Sequence, residues 1–111
     1  MTSRVRAAEV NCNLTIEHFL KLAYSPAQAP RFDWMHSIAD ARAALEDKMS
    51  PTLRCDVEAM LERLYAGARR SAALVLRTYG EEEPAGGFPE KCPYSLDEIC
   101  QQDWYPVSPT A

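Results

Sequence analysis

"SPTLRCDVEAMLERLYAGARRSAALVLRTYG", residues 50–80, is the stretch that decides the fold. Within it Leu53, Val57, Met60, Leu61, Leu64, Ala68, Ala72, Val75 and Tyr79 recur mostly at steps of three and four, the spacing that lines side chains along one stripe of an α-helix. The start is marked twice. Ser50 can offer a side-chain oxygen to the orphan amides of the first turn, and Pro51 stands at the first helical position, where its missing donor removes nothing the helix needs. The end is marked by Gly80, which accepts left-handed backbone, with Arg77 placed to meet the negative end of the helix dipole. The pattern predicts one helix over 51–79, about 43 Å long at 1.5 Å per residue.

Two shorter helices precede it. Val5, Ala8, Cys12, Ile16, Phe19 and Ala23 form a stripe that predicts a helix over 4–24, and the two prolines of "SPAQAP" (25–30) end it, because the residue before each proline is pushed out of the helical region. Trp34, Ile38, Ala41, Leu45 and Met49 predict a second helix over 33–48. At about 30 and 24 Å these two cannot cover the long helix, so its far end, with Ala72, Val75, Leu76 and Tyr79, is left without a neighbour. An apolar stripe in water needs a cover.

Downstream, "GEEEPAGGFPEKCP" (80–93) reads as an irregular connector, since its glycines, prolines and adjacent carboxylates oppose regular structure. At "PYSLDEI" (93–99) the helical signal returns. Ser95 and Glu98 have the spacing of a capping box, with Tyr94 and Ile99 placed as its hydrophobic staple, which predicts a short helix over 96–102. A helix of two turns is unstable alone. The chain is therefore expected to double back through Gly86 and Gly87 and lay Phe88, Tyr94, Leu96, Ile99 and Trp104 along the uncovered end of the long helix. The fold class expected is all-α: a single domain over 1–111, a three-helix bundle with one long helix, and a short C-terminal helix in a tail packed back on it. Its core is expected to include Ile16, Phe19, Trp34, Ile38, Leu45, Leu53, Val57, Leu61, Leu64 and Val75.

The composition suits a globular domain: 111 residues, 47% hydrophobic, 25% charged. No apolar run has signal-peptide length or the roughly 20 residues of a membrane span, so a cytoplasmic location without membrane association is expected. A formal charge of −4 argues against general nucleic-acid binding, which relies on basic surface. The four cysteines, Cys12, Cys55, Cys92 and Cys100, form no close pair and read as reduced, small hydrophobes rather than bridges or zinc ligands. No metal and no cofactor is expected. His18 and His36 show no neighbouring nucleophile or acid in the sequence and read as structural or surface groups. The carboxylates of Glu81, Glu82 and Glu83 read as a solvated loop rather than an ion site. No catalytic constellation is present, and the chain is not expected to be an enzyme.

A resemblance joins these segments. "HFLKLAYSP" (18–26), Trp34, Ile38, Arg42, "SPTLR" (50–54), "LYAGAR" (64–69) and "FPEKCPYSLDEICQQDWYP" (88–106), in that order, resemble the bacterial domain-of-unknown-function family 29 over about residues 12–106. The resemblance implies a bacterial helical bundle and carries over no catalytic residue.

The leading functional expectation is a non-enzymatic protein-interaction module, with a homodimer formed through whatever part of the long helix the tail leaves bare. The alternative is an apolar small molecule or lipid held between helices, where Ala66, Gly67, Ala68, Ser71, Ala72 and Ala73 would let a ligand approach the backbone. A weaker alternative, resting on small size and acidity, is an antitoxin-like partner protein. The contact residues expected for an interaction or a ligand are Ala68, Ala72, Val75, Tyr79 and Trp104.

Overall fold

The computed structural model describes residues 2–107. Among them the chain forms α1 (Thr2–Tyr24), α2 (Arg31–Lys48), α3 (Pro51–Ala59), α4 (Leu61–Thr78), α5 (Glu82–Gly86) and α6 (Leu96–Cys100), with no strand. The all-α class expected from the sequence holds. No helix among the described residues is long and apolar enough to cross a membrane.

α1 is the axis of the fold. Its 23 residues span about 34 Å, most of a molecule whose extents are 40 × 25 × 23 Å. α2 and α4 both pack along α1, while contact between α2 and α4 is sparse. A helix flanked on both sides must be buried on more than one stripe. Accordingly Thr15, Leu20 and Leu22, off the stripe of Ala8, Cys12, Ile16 and Phe19, are buried with it.

The single long helix expected over 51–79 is in fact two. At Met60 the backbone leaves the helix (φ −99°, ψ 0°), and its amide turns back to the Val57 carbonyl at 3.0 Å, a tighter step than the α-helical one. "EAML" (58–61) contains no proline or glycine and favours helix throughout, so packing and not local propensity imposes the break. The bend lets α3 bury Leu53 and Val57 in the common core and place Arg54 in an ion pair with Asp97 in the first turn of α6. The buried face of α4 is also rotated from the expected stripe. Leu61 and Val75 are only half-buried, and Leu64, Tyr65, Ala68, Ala72, Ala73 and Leu76 face inward instead.

The cover for the end of α4 differs too. The segment expected to be irregular contains α5, one helical turn that buries Ala85, and Phe88 follows it into the core. Phe88 packs edge-on against Tyr24 at 5.2 Å between ring centroids, and the Tyr65 hydroxyl donates to the Pro89 carbonyl. α5 thus packs on α4, while the rest of the tail goes elsewhere: α6 packs on α1 and α2, not on the end of the long helix. Its capping box is complete, with Ser95 Oγ accepting from the Glu98 amide at 3.1 Å and Glu98 Oε1 accepting from the Ser95 amide at 3.0 Å. Leu96 and Ile99 are buried.

Arg42 of α2 fixes that docking. Its side chain is 1% exposed. Nε donates to the Ile99 carbonyl at 2.9 Å, and Nη2 donates to the Glu98 carbonyl at 3.0 Å and to the Trp104 carbonyl at 2.7 Å. The first two acceptors lie in the last turn of α6, where carbonyls lack helical partners and the dipole is negative. Asp103, with φ 65°, occupies the left-handed region that Asp tolerates better than most residues. It turns the chain so that the Trp104 carbonyl comes back to the guanidinium. The Phe19 and Tyr105 rings each lie 5.2 Å from the guanidinium carbon, and Phe19 meets Tyr94 and Trp104 edge-on at 5.0 and 5.3 Å.

Replacing Arg42 by Ala leaves these carbonyls buried without donors and is expected to cost about 3–5 kcal/mol in urea unfolding. Arg42→Lys should recover little of this, because a point-like ammonium cannot reach three acceptors as a planar fork does. Truncation after Gly87 removes Phe88, α6 and Trp104 together and should leave a chain that aggregates or melts at a clearly lower temperature.

Candidate functional site

The polar groups inside the bundle serve its own backbone. His18 is buried, and its Nδ1 donates to the Leu14 carbonyl at 2.9 Å. Thr15 Oγ1 donates to the Asn11 carbonyl at 2.9 Å. Lys21, also buried, pairs with Glu17 at 2.8 Å and lies 6.0 Å from the centre of the Trp34 ring. His36 is exposed and pairs with Asp40 at 3.4 Å. All four cysteines are free. Burial pushes the Cys12 thiol up to about 12, with Cys100 adding to it, and raises Cys92 and Cys100 as well, so these three are held as neutral thiols. Among the described residues no three His, Cys, Asp or Glu side chains gather as a metal site requires.

The contact residues expected from the sequence separate in space. Ala68 and Ala72 are fully buried, in the same cluster as Ala8, Cys12 and Ile16 of α1. At the residue before Ala68, a Cβ added to Gly67 would stand 3.4 Å from Asn13 Nδ2. The small residues of α4 therefore admit α1, and the space is taken by a helix. Val75 is half-buried. Trp104 is half-buried in the aromatic group around Phe19 and Tyr94. Tyr79, in contrast, is 69% exposed.

Tyr79 lines a groove of about 500 Å³ with Ala27, Ala29, Pro30, Asp33 and Glu81. Local chemistry builds each wall. Pro26 and Pro30 hold the α1–α2 connector out of helical conformation, so Ala27 and Ala29 stand at its rim. Gly80, with φ 80°, ends α4: its amide bonds to Arg77 O at 2.9 Å and the Glu81 amide to Leu76 O at 2.8 Å, the pairing of a Schellman turn. That turn aims Glu81 at α1, where Ser25 Oγ donates to Glu81 Oε1 at 2.7 Å. Arg31 at the start of α2 donates from Nη2 to the Leu22 carbonyl at 2.8 Å, which ties the third helix to the same corner. Phe32, next to Asp33, is 83% exposed.

The charge lining this groove has one sign. Asp33 and Glu81 are its only charged wall residues. Two other clefts carry both signs: one of about 320 Å³ is lined by Arg6 and Glu9, and one of about 340 Å³ by Arg69, Arg70 and Arg77 together with Glu62 and Glu90. The sequence expectation set Tyr79 on an apolar helix end to be covered by the tail or a second copy, whereas Tyr79 is exposed. It also missed the groove, because part of the groove wall comes from a connector that periodicity does not describe. Two prolines around two alanines, ahead of Phe32, were the available signal.

The same ordered segments that meet in space match a known family along nearly the whole chain: the sequence model described as "Domain of unknown function DUF29" aligns with residues 1–105. The chain belongs to that family. The DUF29 match includes all of α1, extending further towards the N-terminus than residue 12, and runs through Trp104 and Tyr105 at the Arg42 contact. Comparison with curated proteins and with solved structures returned no match.

Within this DUF29 domain the buried His18 gives a pH test. Burial, then the nearby Lys21, lowers its pKa below the ordinary histidine value, so the unfolded chain binds the proton more readily than the folded one. Its contribution to stability is complete above the ordinary histidine pKa and is lost as pH falls through that value towards the lower folded one. His18→Gln should therefore show a shallower loss of unfolding free energy than the native chain between about pH 7 and pH 5, measured by urea titration at each pH.

Proposed function

We propose that the domain is a non-enzymatic protein-interaction module that binds at the corner where α1, α2 and α4 meet. The observation that carries this is the pair of large aromatic side chains standing in solvent there, Phe32 at 83% and Tyr79 at 69% exposure, one of them a wall of an apolar groove. Aromatic residues are enriched at the centres of protein interfaces because they remove much apolar area from water while retaining few conformers. The interior polar groups support the non-enzymatic part of the proposal. His18 and Thr15 both donate to α1 carbonyls, and three of the thiols are kept neutral by burial. A second copy meeting this corner about a two-fold axis would bring Asp33 and Glu81 against their own equivalents, which favours a different protein as the partner over a homodimer.

The test places a photo-crosslinking benzoylphenylalanine at position 79 or 32 in the native cells, with position 102 as control. Gln102 is exposed and lies beside Glu46 near the C-terminal end of α2, away from the groove. Discrete protein adducts from positions 79 and 32 and none from 102 are expected. No adduct from either aromatic position, or equal adducts from all three, would refute the proposal.

A further inference from the structure

We infer that the element received by the groove beside Tyr79 is a lysine or arginine side chain flanked by apolar residues on a partner protein. This rests on the interaction reading above and adds the chemistry of the partner. The walls are apolar at Ala27, Ala29 and Pro30, and the charged groups among them are the carboxylates of Asp33 and Glu81.

Three independent features set the sign of that guest. Asp33 makes no ion pair within 4.0 Å among the described residues, and Glu81 is held in place by a neutral donor, Ser25, so neither charge is cancelled. Of the cations near this corner, Arg31 is held on the Leu22 carbonyl at the end of α1 and Arg77 pairs with Glu82 at 3.4 Å, and neither lines the groove. α1 and α4 both end at this corner; Arg31 offsets the α1 end, and the α4 C-terminus adds its negative end to the carboxylates, against one N-terminus from α2. The exposed Tyr79 ring offers a face to a cation. The long stem of Lys or Arg suits alanine and proline walls while its head reaches the acids. A bare metal ion fits poorly, because a hard cation takes six or more oxygen ligands and two carboxylates on an apolar wall do not supply them. At about 500 Å³ the groove has the size of sites that take organic groups.

The experiment is a titration of the isotope-labelled full chain, followed by amide NMR, with two synthetic twelve-residue peptides of identical leucine and alanine content. One carries four lysines and the other four glutamates at the same positions. The lysine peptide should give saturable shifts at Ala27, Ala29, Asp33 and Tyr79, weakening with salt, and the glutamate peptide none. The double substitution Asp33→Asn with Glu81→Gln, which keeps an acceptor for Ser25, should weaken binding about tenfold or more, about 1.4 kcal/mol per factor of ten, with an unchanged melting curve. Equal binding of both peptides, shifts spread over acidic surface outside the groove, or indifference to the double substitution would overturn the inference. So would a doubling of mass on concentration, or n-butylamine alone matching the lysine peptide; these would assign the groove to a second copy or to a small amine. Crosslinks from position 79 with no response to the lysine peptide would sink the charge assignment and leave the interaction reading standing. Absence of both would remove both.

Discussion

A guanidinium sealed inside the protein without a carboxylate partner is the constraint on which the rest of the fold depends. Removing such a charge from water costs several kcal/mol even after relaxation, and Arg42 recovers that cost from three carbonyls and two aromatic faces. Among the described residues no carboxylate lies within ion-pairing distance, and Asp103 acts on the charge only from further off. Arg42 Nη1 is buried with no hydrogen-bond partner among the described residues, so the arrangement is not fully satisfied, and loss of any one acceptor would raise the cost further. Every acceptor comes from residues 98–104, and each lies at least 56 positions away in the chain. The tail is thus an internal part of the structure, as the Phe19, Tyr94 and Trp104 group also requires.

The second constraint is the central place of α1. A helix packed from both sides needs neighbours that approach closely, and the small residues of α4 at 67, 68 and 72 meet that need. With α1 enclosed, α3 and α4 cannot continue as one straight rod and still bury both their apolar faces on it. The backbone yields at Met60, against a local sequence that favours helix.

Much of this was legible in the sequence. Ser50 and the Ser95–Glu98 box act as caps through the bonds their spacing implied, and Gly80 ends α4 with the positive φ expected of it. These signals are local, a few residues acting on one another. What escaped was set over longer range. The break at Met60 and the rotation of the α4 face come from tertiary packing. The turn of α5 forms despite two glycines and a proline because Ala85 and Phe88 find a buried surface. Arg42 entered the sequence reading only through the family resemblance; a charge beside Ala41, four residues after Ile38 and three before Leu45, was the unused signal for the residue on which the tail closes. Of the candidate site, Tyr79 was legible as part of an apolar helix end in need of a cover, and its exposure was not. The groove was not, since three separate segments converge to make it.

The distance in sequence between Arg42 and its acceptors has a consequence for synthesis on the ribosome. α1 and α2 are neighbours in the chain and can pair early, because short loops are closed at little entropic cost. At that stage Arg42 has none of its carbonyl acceptors, and Phe19 lacks Tyr94 and Trp104. The nascent helices therefore expose a cationic, aromatic surface until residues 98–105 have emerged. Only then can α6 seat on α1 and α2 and residues 98–104 close the contacts of Arg42 and Phe19.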